Sequence, residues 1–238
     1  MKIHTKEDFY KGLMHGIPIA LGYIPVSFTF GLMAVKGGIP ALAAILISMT
    51  NLTSAGQFAG MNLIIEGASL VEIALTTLIV NLRYMLMSIS LSQKLSNKIP
   101  AFKKYILAFG ITDEVFAVSA VQPGEVTSSY MSGLVTLPYI GWTIGTIMGA
   151  LASSLLPQML QNSMGIALYC MFIAIVVPAA KKSIAALVVA LIAIFISSLF
   201  TWAPLISSLS AGWVIIIATV AASSIGAIAF PREDDECD

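Results

Sequence analysis

The sequence predicts an all-α, polytopic membrane protein built as one integral membrane domain over residues 1–238. Three observations carry that reading. Hydrophobic residues make up 58% of the chain and charged residues 10%, with a mean hydropathy of +0.94. A soluble domain is about half apolar and a quarter charged. The charge gathers at 2–11, 94–104, 181–182 and 232–238, and the runs between are long enough for helices of roughly 20 apolar residues, the length that crosses a bilayer.

In chain order, residues 1–15 form an amphipathic leader in which Lys2, Lys6, Glu7, Asp8 and Lys11 surround Phe9 and Tyr10. The run that follows is broken by Pro18 and Pro25 and has no small-residue cleavage site, so no removable signal is expected. Apolar segments then fall at about 16–35, 41–65, 71–92, 105–121, 131–154, 163–179, 183–203 and 211–230, giving about 6–8 crossings. Residues 231–238 are an acidic, solvated tail. The basic loop 93–104, with Lys94, Lys98, Lys103 and Lys104, belongs on the cytoplasmic side, and Lys181, Lys182 and the leader prefer the same side.

Those preferences conflict if every segment crosses. One resolution is that 41–65 enters the membrane and returns. Its centre, Thr50-Asn51-Leu52-Thr53-Ser54-Ala55-Gly56-Gln57, is too polar for an ordinary lipid-facing helix, and irregular backbone survives at that depth only inside protein or beside a watery cavity. The same treatment of 157–179, entered through Leu156-Pro157-Gln158 and Gln161-Asn162-Ser163, places Lys181 and Lys182 inside. The two halves then form inverted repeats, each with a broken segment, a plan that recurs in secondary transporters. The alternative is eight plain spans with one basic loop on the wrong side.

Three ionisable residues lie within the apolar runs: Arg83, Asp113 and Glu114. A charge at mid-bilayer costs several kcal/mol or more, which marks such residues as functional candidates. Arg83 precedes Lys94 by eleven positions and Asp113 follows Lys104 by nine, so both stand about 15 Å from the same loop and can meet. A guanidinium fork opposite a carboxylate is the expected way to hold either charge there. Asp113 and Glu114 diverge by about 100° on a helix, leaving one acid free to face elsewhere and, in a dry site, to carry a proton. A purely structural ion pair locking two helices is the alternative. Asn81 lies on a second polar stripe with Thr77 and Ser88, so segment 71–92, polar on two sides, is expected to be buried in the bundle.

The first broken segment offers Asn51, Thr53, Ser54 and Gln57. The free amides of a half-helix N-terminus attract carboxylates, and exposed carbonyls attract cations. Against this, Gly56 and Gly60 also make a GxxxG contact face, and for Gly141, Gly145 and Gly149 helix contact is the favoured reading. Glu66 and Glu72 are expected to be solvated at the interface.

His4 and His15 make no metal motif, and Cys170 and Cys237 suggest no disulfide framework. No basic, aromatic-interleaved patch points to nucleic acid. With no HExxH, GxSxG or P-loop, the sequence predicts neither an enzyme nor a cofactor. Any transport then runs on an ion gradient, by exchange or passively.

The pieces Gly16-Ile17-Pro18 to Gly31-Leu32, Ser54-Ala55-Gly56-Gln57-Phe58, Asn81-Leu82-Arg83-Tyr84 and Thr112-Asp113-Glu114-Val115-Phe116 resemble the AzlC family, large subunits of branched-chain amino-acid exporters of the azaleucine-resistance type. The chain departs from the family's usual pattern at Gly56, where serine is common, and at Tyr84, where histidine is frequent. The resemblance implies export of small hydrophobic amino acids across the cytoplasmic membrane. It also implies a partner, a small hydrophobic subunit of the AzlD type. On that reading Arg83, Asn81, Ser54, Gln57, Asp113 and Glu114 bind substrate, Asp113 or Glu114 carries the coupling proton, and Phe58, Phe109 and Phe116 form an apolar wall. The competing class is a non-transporting membrane scaffold or assembly subunit in which Arg83 and Asp113 are a structural pair.

Overall fold

The computed structural model describes residues 5–96, 99–153, 166, 170, 173, 176–202 and 209–231. Among them are nine helices and no strand: α1 (Thr5–Lys36), α2 (Ala41–Thr50), α3 (Ser54–Ile65), α4 (Leu70–Lys94), α5 (Ala101–Phe109), α6 (Asp113–Ala120), α7 (Ser128–Ala152), α8 (Ile184–Trp202) and α9 (Ala211–Ala229). By length and composition α1, α4, α7 and α9 can each cross a membrane. The acidic tail 232–238 lies outside the described residues, as does most of 157–179, including Gln161, Asn162 and Ser163.

The scaffold is a parallel pair, α1 and α7. Their contacts climb together, from Gly12 against Tyr130, through Gly141 against Ala20, to Gly149 against Phe28. Glycine is what allows this approach: a Cβ on Gly141 would stand 3.0 Å from the Ala20 carbonyl oxygen, and one on Gly145 or Gly149 would meet the α1 backbone more closely still. The Gly141–Gly145–Gly149 ridge is therefore a helix-contact face.

Between these spans, 41–65 enters and returns as expected. α2 descends antiparallel to α7, with Ser48 Oγ 2.6 Å from Thr146 Oγ1 and the Tyr139 hydroxyl donating to the Met49 carbonyl at 3.1 Å. α3 climbs back, stacking Phe58 edge-on to Phe30 with centroids 5.5 Å apart, and ends with Ile65 against Gly37 beyond the end of α1. The chain leaves the membrane on the side it came from. α4 then crosses to the opposite end, where Ser96 N donates to the Val126 carbonyl just before α7 begins.

A second re-entrant hairpin lies inside 105–121, a run that reads as one apolar segment. α5 rises along α7 and stops at Gly110, which abuts the Val135 side chain. α6 starts at Asp113, capped by Thr112, and returns to the end where α1 and α7 begin. This end carries the basic loop 93–104 and is therefore called the inner end; there Gln122 Nε2 is 3.3 Å from His15 Nδ1 and Lys94 Nζ donates to the Ala120 carbonyl. Thr-Asp-Glu is a helix-start signal, and here it outweighs the apolar composition around it. The order is thus span, outer hairpin, span, inner hairpin, span, with the hairpins entering from opposite ends and α4 shared between them.

Two further expectations change. α4 is not enclosed by the bundle. Asn81, Arg83 and Thr77 face the hairpins and Thr76 meets Gly212 of α9, while Ser90, Leu78, Met85, Leu86 and Ile89 are exposed. Glu72 is not solvated either: it is 6% exposed, accepts from the Ser210 hydroxyl and abuts Gly212 at the start of α9, while Glu66 is exposed. A carboxylate at the first turn of two helices is favoured by both macrodipoles. α8 runs antiparallel to α9, with Val189 against Gly226, so Lys181 and Lys182 lie at the end of the bundle away from Glu72.

Candidate functional site

The two hairpin tips, Asn51-Leu52-Thr53 and Gly110-Ile111-Thr112, meet at mid-bundle, so the N-termini of α3 and α6 converge between α1, α4 and α7. α4 bridges them. The Thr53 hydroxyl donates to Asn81 Oδ1 at 2.9 Å and lies 3.3 Å from the Tyr84 hydroxyl. Tyr84 accepts from Arg83 Nη2 at 3.1 Å, and its ring lies 4.9 Å below the guanidinium carbon. The same Nη2 is 3.1 Å from Asp113 Oδ2, the two side chains being 33% and 23% exposed. The pair inferred from equal heights above one loop is present. One polar chain therefore runs Asn81, Thr53, Tyr84, Arg83, Asp113, from the outer tip to the inner one.

Glu114 points elsewhere, as the divergence of adjacent helix positions requires. Its Oε2 accepts from the Tyr23 hydroxyl at 2.5 Å, and that hydroxyl is also 2.7 Å from Thr112 Oγ1. Tyr23 of α1 stands edge-on to Trp142 of α7, centroids 5.2 Å apart, and Trp142 Nε1 donates to Gln57 Oε1 at 3.2 Å. Each scaffold helix thus gives one aromatic to one tip: Trp142 to the outer, Tyr23 to the inner.

The two half-helices end differently. Thr112 caps α6 by accepting from Val115 N at 3.3 Å. Thr53 has N-cap geometry but its side chain does not cap α3; it is turned towards Asn81. Two buried donors nearby, Gln57 Nε2 and Arg83 Nε, have no partner among the described residues. Donors in excess of acceptors, together with an uncapped helix N-terminus, suit an incoming carboxylate. The cavity enclosed by Tyr23, Leu52, Thr53, Ser54, Tyr84, Thr112, Glu114 and Trp142 measures about 10 Å3, room for about one water. No amino acid fits in a space of that size.

Every sequence-nominated residue is at or beside this centre: Ser54 on the cavity wall, Gln57 one turn along α3, Asn81 and Arg83 on α4, and Asp113 and Glu114 on α6. Gly56 and Gly60 are contact positions. A Cβ on Gly56 would lie 2.5 Å from Asn81 Oδ1, and one on Gly60 3.4 Å from Thr77 Oγ1. The expected phenylalanine wall does not form. Phe58 packs with Phe30, Phe109 is exposed against Tyr139, and Phe116 lies on the flank of the core. Tyr23, Tyr84 and Trp142 take that place. Their signal was weak, because aromatics in apolar helices read as filler, although Tyr84 sits directly beside Arg83.

The chain matches the family model described as AzlC protein over residues 18–156. It is 35% identical over 175 residues to an uncharacterized membrane protein of Archaeoglobus fulgidus, covering 73% of this chain and 76% of that one. It is 32% identical over 154 residues to the inner membrane protein YgaZ of Escherichia coli, covering 63% of each. With the branched-chain amino acid transport protein AzlC of Bacillus subtilis it shares 26% identity over 149 residues, 61% of this chain and 58% of that protein. No solved structure matches it.

Proposed function

The chain belongs to the AzlC family, and on that premise we propose that it is the large subunit of a secondary transporter that exports branched-chain or other small hydrophobic amino acids across the cytoplasmic membrane. The family match and the likeness to the branched-chain amino acid transport protein of Bacillus subtilis support a membrane transport role, and the proposal extends it to substrate, direction and coupling. The observation that carries it is the convergence of two oppositely directed hairpin tips on one buried site offering donors at one end and an acid at the other.

A zwitterionic amino acid needs both ends. Its carboxylate is placed at the N-terminus of α3, against the amides of Ser54 and Ala55 and the unpaired Gln57 Nε2. Its ammonium is placed at Glu114, beside the Tyr23 hydroxyl. Tyr23, Tyr84 and Trp142 supply apolar surface for the side chain, which binds by burial. Arg83 is already held by Asp113 and Tyr84, so it sets the spacing of the tips while its Nε stays available to the substrate carboxylate. Because the closed cavity holds only about one water, substrate enters when one tip withdraws. Alternating withdrawal of the outer and inner hairpins gives access to each side in turn. A proton on Asp113 removes the charge that holds Arg83 and releases the inner tip, which couples movement to a proton gradient. A small AzlD-type hydrophobic subunit completes the working transporter.

The test is uptake of radiolabelled leucine into inside-out vesicles carrying this chain and such a small subunit, with and without an imposed proton gradient. Gradient-dependent accumulation that disappears in Arg83→Ala, with the variant still inserted, is the expected result. Normal export by Arg83→Ala sinks the site assignment. A double change of Arg83 and Asp113 to apolar residues that keeps full function would return the pair to a scaffold role.

A further inference from the structure

Away from the hairpin tips, at the inner end of the bundle, a groove of about 670 Å3 opens between α1, α5 and α7. α5 packs mainly on α7, and the groove lies between this pair and the first turns of α1. The floor is apolar, made by Phe9, Tyr10, Ile106 and Leu107, and the serine hydroxyls of 128, 129 and 132 line one side. Among the described residues that line it, Lys6 and Lys103 are the charged ones and none is an acid. A neighbouring cavity across α1 also includes Lys6 but holds Glu7 beside Lys11 and His15, so it has no comparable bias towards anions.

Depth identifies the occupant. Tyr23 marks the level of the hairpin tips, and Lys6 and Phe9 lie seventeen and fourteen residues before it on the same helix, about 26 and 21 Å towards the inner end. Lys103 lies six residues before the end of α5 at Phe109, about 9 Å from the level of the tip. The groove therefore spans the boundary between hydrocarbon and headgroups, since the apolar core reaches about 15 Å from its centre. We infer that it binds one anionic phospholipid of the cytoplasmic leaflet, its phosphate between Lys6 and Lys103 and an acyl chain along Phe9, Tyr10, Ile106 and Leu107. Basic recesses between helices on the cytoplasmic side suit such headgroups. The basic loop 93–104, of which Lys103 is a member, keeps this end on the anionic leaflet. Site and ligand are independent of the substrate assignment above.

The experiment is lipid retention by the full chain, purified and delipidated in detergent, read by native mass spectrometry. It would be titrated with phosphatidylglycerol, phosphatidylcholine and glycerol 3-phosphate. One phosphatidylglycerol should bind at least about tenfold more tightly than phosphatidylcholine. Lys6→Gln and Lys103→Gln should each weaken it about fivefold and the pair about thirtyfold, as two surface lysines contribute to anionic-lipid attraction. Lys182→Gln, at the same end but outside the groove, should leave binding unchanged, and Lys103→Arg should retain it. Equal binding of both lipids overturns the inference, as does an equal loss in Lys182→Gln. Glycerol 3-phosphate displacing the lipid at equal concentration would assign the groove to a soluble anion and also overturn it.

Discussion

The two re-entrant hairpins are alike in plan and opposite in physical character. The outer one carries no charge and is packed into the core: Ala44, Ser48, Phe58, Met61 and Leu63 are buried, and Gln57, Thr146 and Tyr139 fasten it to α7. The inner one carries Asp113 and Glu114, and most of α5 is exposed at Phe102, Tyr105, Ile106 and Phe109. Sparse burial marks the regions of a protein that open most readily. On the proposed mechanism the contrast makes the outer hairpin the seat, which withdraws against more packing, and the inner hairpin the readier, proton-responsive gate.

The largest effect falls on the contact that ties the inner tip down. Arg83→Ala should cost on the order of 3 kcal/mol, the low end for breaking a buried pair because a third of Arg83 is exposed. It should also abolish transport. Exchanging Arg83 for Met together with Asp113 for Leu should recover most of the stability and none of the transport, measured by thermal unfolding and leucine flux on the same samples. Recovery of both would erase the distinction between seat and gate.

Next come the two aromatic tethers. Tyr23→Phe removes the donor to Glu114 on the inner tip, a bond to a charged group worth about 1.5–3 kcal/mol, and should slow flux about tenfold or more. Trp142→Phe removes the neutral bond to Gln57 on the outer tip and should change flux by about threefold or less. The reverse order in vesicle flux would make the outer hairpin the readier gate.

Glycine gives a matched pair of smaller effects. Gly110→Ala presses on the Val135 side chain and Gly56→Ala on Asn81, each costing about 1–3 kcal/mol. Adding Val135→Ala should relieve the first in a double-mutant cycle. No reduction at Asn81 should restore function in the second, because Asn81 also accepts from Thr53. Full rescue of Gly56→Ala by Asn81→Ala would reduce α3 to a contact surface.

The outer hairpin was legible in the sequence because polar residues interrupt an apolar run at Thr50–Gln57, and lipid does not tolerate that without protein around it. The Arg83–Asp113 meeting was legible because both residues are measured from one loop. The inner hairpin was hidden, since Gly110 and Thr112 are each common inside a membrane helix, and Asp113 and Glu114 read as functional charges within a span rather than as a helix start. Glu72 was misread for a related reason: its partners, Ser210 and Gly212, arrive from a helix some 140 positions away, a distance no local pattern spans. Tyr23 and Trp142 belong to the same class, because their role rests on the parallel pairing of α1 with α7.

The smallest change tests the asymmetry of the two helix starts. Thr112 caps α6, but Thr53, extended at φ −145° and ψ 126°, leaves α3 uncapped. Thr53→Asn places a better capping group where the substrate carboxylate is proposed to sit, without adding charge. It should leave stability unchanged or raise it by a few tenths of a kcal/mol, while raising KM several-fold at nearly constant kcat, as an internal acceptor competes for the α3 amides. Thr112→Asn exchanges one cap for another and should leave KM alone. Equal KM values in the two variants would move the carboxylate seat away from α3 and towards Arg83, and the outer hairpin would then hold the site's shape without touching the substrate's charge.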